Sequence, residues 1–153
     1  MTGVTIEKFF APAWKVGSPI FIRLAVGLIF LTQGILKYFD PHMGVLRFAK
    51  IGFPYPGYTA HFVGTFEIAC GLLVLVGLFT RVASIPLLVV ILTAIATTKL
   101  PELFHPDQGF WFMVSDARTD FAMMMSLLFL IAVGAGSWSL DAWLWEEKRH
   151  EVS

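Results

Sequence analysis

The chain has 153 residues, 57% hydrophobic and 14% charged, with a formal net charge of zero at pH 7 and a mean hydropathy of +0.75. Soluble domains carry roughly 25% charged residues, so this balance excludes an ordinary water-covered globule and points to lipid. No basic block suits a nucleic-acid partner, and the lone cysteine, Cys70, excludes an intrachain disulfide, a CxxC redox pair and a cysteine zinc cluster.

Residues Met1–Ser18 mix Phe9, Phe10 and Trp14 with Lys8 and Lys15, which suits a membrane interface. They do not read as a signal peptide. The apolar run after them is too long for an h-region and no A-x-A site closes it, so it is expected to stay as an anchor. The first membrane span is predicted over residues 19–38, with Pro19 where a helix start tolerates it and Asp40-Pro41 as the stop. Next, His42–Ile51 spaces Val45, Phe48 and Ala49 helically beside Arg47 and Lys50. This predicts a short interfacial helix, stopped by Gly52 and Pro54-Tyr55-Pro56-Gly57.

The second span, residues 59–79, organises the rest. About 20 apolar residues at about 1.5 Å each match a hydrocarbon core of roughly 30 Å. Glu67 lies near its middle, where an acid is costly unless it faces protein or water, and so marks a functional site by default. The Thr80-Arg81 link makes the third span, residues 82–100, an antiparallel neighbour, with Pro86 as a tolerated start or slight kink. A longer loop, Pro101–Arg118, carries Glu102, His105, Asp107, Asp116 and Arg118 among Phe110, Trp111 and Phe112. The fourth span is predicted over residues 119–135. Trp138, Trp143 and Trp145 then form an interfacial belt ahead of a solvated tail.

The expected fold is all-α. Residues 1–153 form a single polytopic domain, a bundle of four transmembrane helices with a short interfacial helix between spans 1 and 2. Basic residues divide almost evenly between the two sides, and both termini are placed in the cytoplasm.

Wound at 100° per residue, Arg23, Gly27, Phe30, Gly34 and Lys37 fall within roughly 80° of arc, with Gln33 at its edge. Small residues let helices approach in lipid, so this face should point inward, as should that of Gly64, Glu67 and Gly71. Thr93 and Thr97 stack on the third span, while Asp116 and Asp120 lie one turn apart around Arg118. The result is an expected polar pocket of Gln33, Lys37, Glu67, Thr97, Lys99, Arg118 and Asp120, opening on the side of the two long loops. Glu67 is its floor, about 12 Å from that end by helical rise. The opposite half should be almost purely apolar apart from Arg23, which, like Lys99, is expected to snorkel or pair.

Several residues have plainer readings. Glu67 and Lys37 could form an internal ion pair that only fixes helix register. Cys70 reads as packing, Met123-Met124-Met125 as gap-filling and lipid-facing, and His61 as interfacial. The four histidines are scattered without ligand spacing, so no metal site is expected.

Three stretches resemble one family. Gly27-x-x-Phe30-x-x-x-Gly34-x-x-Lys37 is similar to the start of the DoxX family, and Glu67-x-x-x-Gly71-Leu72-Leu73-x-Leu75-x-Gly77-Leu78-x-Thr80-Arg81 to its second-span signature. Gly134-x-Gly136-x-x-Ser139-Leu140-Asp141 resembles its ending. The resemblance implies a four-helix protein of the bacterial inner membrane, with relatives tied to a quinone-reducing thiosulfate oxidoreductase and to other membrane redox complexes. The chain departs from simpler members in its longer third loop, and in Asp116-x-Arg118-x-Asp120 where many resemble a single Glu entering the fourth span. No nucleotide, haem or flavin motif is present, so an electron carrier would be a diffusible quinone or belong to a partner.

Three functions stand as expectations. The first is a small subunit of a quinone-linked membrane redox complex, with Glu67 as the proton-exchanging group. The second is a non-catalytic scaffold or assembly subunit, holding partner proteins or a second copy through its small-residue faces and long loops. The third is a small-solute or lipid carrier, for which the halves share only a faint similarity and no helix breaks at mid-membrane. No self-contained catalytic motif decides whether the chain is an enzyme.

Overall fold

In the computed structural model, residues 19–104 and 109–144 are described, and every regular element among them is helical. The helices are α1 (Ile20–Phe39), α2 (Val45–Ile51), α3 (Pro56–Val76), α4 (Thr80–Leu103), α5 (Gly109–Asp116) and α6 (Arg118–Val133). Residues 140–144 are helical again. The expected amphipathic lead-in, Trp145 and the C-terminal tail lie outside the described residues, as do His105 and Asp107.

The element boundaries differ from expectation for local reasons. α3 starts three residues early, because Pro56 sits in a first turn whose N–H groups have no helical partner anyway. It ends at Gly77, which takes the left-handed conformation at φ +73°, so the turn to α4 is Gly77–Phe79 and Thr80-Arg81 open α4. The long loop is itself partly helical, holding the last turn of α4 and all of α5.

Three helices, α1, α3 and α4, are long and apolar enough to cross a membrane, at 20, 21 and 24 residues. α6, at 16 residues, reaches about 24 Å by helical rise and is shorter than a hydrocarbon core of about 30 Å. α1 lies along α3, α4 packs against α3 and α6, and α6 returns to α1, closing a ring. Its core holds Val26 and Phe30 of α1, Cys70 and Val74 of α3, Leu87 and Ile91 of α4, and Met123, Leu127 and Leu130 of α6.

The α1–α3 seam is closed by backbone. A Cβ placed on Gly27 would stand 2.9 Å from the Gly71 carbonyl oxygen, and one on Gly34 would stand 2.8 Å from that of Gly64. No methyl fits there, as expected where small residues let helices touch in lipid.

The turn end of the bundle is not apolar, a correction to the expectation for that half. Arg23 does not snorkel; only 2% of it is exposed. Its guanidinium donates to the carbonyls of Val74 (3.1 Å), Leu75 (2.8 Å), Ala135 (3.1 Å) and Trp138 (2.6 Å). Two of these belong to the last turn of α3, where helical donors run out and the Val74 carbonyl also accepts from the Gly77 N–H (3.2 Å). Asp141 folds back onto the same turn, accepting from the N–H groups of Phe79 (2.8 Å) and Thr80 (3.3 Å) at the start of α4. Arg81 donates to the Ala132 carbonyl at the end of α6 (3.2 Å).

Candidate functional site

At the long-loop end the ring parts and encloses a cavity of about 700 Å³. Lys37, near the end of α1, reaches Glu67 on α3 with a 2.5 Å contact between Nζ and Oε2. Glu67 is 3% exposed, eleven residues into a helix that starts at Pro56, and so lies about 16 Å from that end rather than the expected 12 Å. Phe30, Phe48, Phe62, Phe66 and Ile91 supply much of the surrounding wall.

Six of the seven expected pocket residues line this cavity: Gln33, Lys37, Glu67, Thr97, Lys99 and Asp120. Arg118 does not. It is exposed and donates to the Ser115 hydroxyl (3.2 Å), because its place at the start of α6 turns it away from Asp120. Lys99 pairs instead with Asp116 at the end of α5, tying that short helix to α4 across the mouth. This ion pair holds the Asp116 carboxyl below the usual carboxylate range.

Two contributions lie outside the expected pocket. The first is α2, which brings Arg47, Phe48 and Ile51 to the cavity. Arg47 makes no ion pair among the described residues, and its charge reaches Glu67 through space. The signal for it is the amphipathic spacing of residues 42–51, which by itself marks only a surface feature. The second is a turn of wider, π-type helix at Ile95–Lys99. A π turn inserts an extra residue and rotates the residues beyond it, and such turns are frequent at functional sites. Here Thr98 lines the cavity beside the expected Thr97 and Lys99. Thr93, Thr97 and Thr98 donate their hydroxyls four residues back, to the carbonyls of Val89, Thr93 and Ala94 in turn.

The plainer readings also find places. Met123 is in the core and Met125 is exposed, while Cys70 is a buried packing residue. His61 is exposed and packs its ring against Tyr38 at 4.8 Å.

The fold and cavity define a multi-pass helical membrane protein with a charged pocket inside apolar walls. The chain belongs to the DoxX family, whose model matches residues 18–100. It is 47% identical over 143 residues to the uncharacterized membrane protein Rv3486 of Mycobacterium tuberculosis, an alignment covering 86% of this chain and 88% of that one. It is 24% identical over 138 residues to a Bacillus subtilis protein named "Putative oxidoreductase CatD", covering 90% of this chain and 94% of the other. No solved structure matches it.

Proposed function

We propose that this protein is a small membrane subunit of a quinone-linked redox complex, and that the cavity around Lys37 and Glu67 receives the quinone headgroup. The observation that carries this reading is a charged, hydrogen-bonding floor of Lys37 and Glu67 in a cavity flanked by aromatic and aliphatic side chains. Its volume lies within the roughly 300–1,000 Å³ range of small-molecule sites. Lys37 has three N–H donors and commits one to Glu67, so donors remain for a carbonyl oxygen. Gln33 and the aromatic wall provide a further amide and flat apolar surfaces. A quinone supplies two-electron, two-proton chemistry, with the electrons passing to or from a redox group on a partner subunit. Glu67 holds and exchanges the proton at the floor, and Lys37 orients the headgroup. The name of the Bacillus subtilis relative points in the same direction.

In this reading α6 makes a fourth crossing, supported by its packing along α4 and its buried Met123, Leu127 and Leu130. α2 lies at the interface with Arg47 and Lys50, in a bacterial cytoplasmic membrane with both termini inside. The test is quinone binding to the protein reconstituted in nanodiscs, comparing wild type with Glu67→Gln. Weakened binding by a monodisperse variant is expected; unchanged binding rejects the role of Glu67.

A further inference from the structure

We infer that the cavity is loaded sideways from the bilayer through the seam between α3 and α4, and that its ligand is an amphiphile whose apolar tail stays in that seam while its head reaches Lys37 and Glu67. This rests on the proposed quinone site and narrows its ligand to tailed quinones.

The seam is visible in side chains that have two faces. Phe62 and Phe66 of α3 and Val89 of α4 line the cavity, yet are 51%, 41% and 56% exposed on the outside of the bundle. The cavity wall and the lipid-facing surface are therefore the same side chains at this point. Depth agrees. Val89 is nine residues into α4, and Glu67 is ten residues before Gly77, so both stand about 14 Å from the α3–α4 turn by helical rise. The opening is level with the ion pair.

The other routes are chemically different. The α1–α3 seam is shut by the Gly27–Gly71 and Gly34–Gly64 contacts. The α1–α6 seam also meets the cavity, but it presents Gln33, Thr119 and Asp120. The long-loop mouth presents Arg47, Asp120 and the Lys99–Asp116 pair. An apolar tail lying among such groups would desolvate them without offering a hydrogen bond in return. Along α4 at this seam the Thr93 and Thr97 hydroxyls are already donated, to the Val89 (2.8 Å) and Thr93 (2.7 Å) carbonyls. Pro86 beside it has no N–H at all. That rim therefore shows lipid no uncommitted donor.

The test plugs the seam from its lipid face. Val89→Trp and Val89→Phe add bulk at an exposed position of the seam, outside the core and making no contact with the ion pair's hydrogen bond. Binding of labelled menaquinone and of tail-less menadione is measured in nanodiscs for wild type, both plug variants, Ile29→Trp at the α1–α6 seam, and Glu67→Gln. Menaquinone affinity is expected to fall about tenfold, about 1.4 kcal/mol, in the monodisperse plug variants, with menadione affinity unchanged. Glu67→Gln weakens both ligands. Plug variants that bind menaquinone as well as wild type overturn the seam, and the site stands on the Glu67→Gln result. An equal loss in Ile29→Trp overturns the choice of seam. Wild type that binds neither quinone removes both the site and the seam.

Discussion

The two ends of the bundle hold similar charges and use them in opposite ways. At the turn end, Arg23 is surrounded by four carbonyl acceptors and Asp141 spans two backbone N–H groups. At the long-loop end, Lys37 and Glu67 satisfy each other only in part, Arg47 and Asp120 make no ion pair among the described residues, and all four border a cavity. A buried charge whose hydrogen bonds are complete is part of the scaffold. One that keeps bonding capacity beside empty volume is equipped to meet something else. An ionisable residue within a membrane helix thus needs its partners counted before it is named a site.

That contrast can be broken from the scaffold side first. Arg23→Ala removes the shared donor of two α3-terminal carbonyls and two more in the segment after α6, and should cost about 3–5 kcal/mol or abolish folding, read as thermal unfolding in detergent. A loss well below about 1 kcal/mol would mean the clamp is not structural. Gly77→Ala should come next, at about 1–3 kcal/mol, because the residue has φ +73° and a Cβ there would stand 2.5 Å from the Arg23 guanidinium.

The cavity end should respond differently. Glu67→Gln removes the anionic partner of a largely buried ammonium, with a stability loss of about 1–3 kcal/mol. The double variant Lys37→Met/Glu67→Leu should recover most of that stability, since apolar replacement of both members of a buried pair is often neutral. Quinone binding should not recover with it. Recovery of both would make the pair a plain register device. The smallest effect belongs to Lys99→Ala, which releases an exposed carboxylate and should cost under about 1 kcal/mol, fading with added salt. Because Lys99 holds the Asp116 pKa below its unfolded value, this contribution is present at neutral pH. It is lost as pH falls through and below the ordinary carboxylate range, which an acid titration of unfolding checks.

Much of the arrangement is legible in one dimension because helical periodicity in lipid is simple. Gly27, Gly34, Gly64 and Gly71 announce the α1–α3 contact, and the shared arc of Lys37 with those glycines points it toward Glu67. The features that escape depend on non-local backbone geometry. The spacing of Arg23 marks an inward face, but its partners lie 51 to 115 residues away, in a turn and a segment whose folding back no periodicity reveals. The Gly77-Leu78-x-Thr80-Arg81 and Ser139-Leu140-Asp141 stretches look like family punctuation and prove to be two halves of one clamp, joined by Asp141 to the N–H groups of Phe79 and Thr80. The π turn at Ile95–Lys99 is likewise invisible, because an extra residue per turn changes which threonines face inward without changing their spacing in the chain. Arg118 fails for a related reason. Lying between two aspartates in sequence, it faces a different direction once α6 begins.

The glycine seam carries one more consequence. Since α1 and α3 meet main chain to main chain at two levels, they cannot slide apart or twist past one another without breaking that fit, and they act as a single rod. The other half of the ring is fastened to this rod at its turn end, through Arg23 and Asp141. Any breathing of the chamber therefore falls to α4 and α6 at the ends far from that fastening, where the Lys99–Asp116 pair joins α4 to α5, like the arm of a clothes-peg.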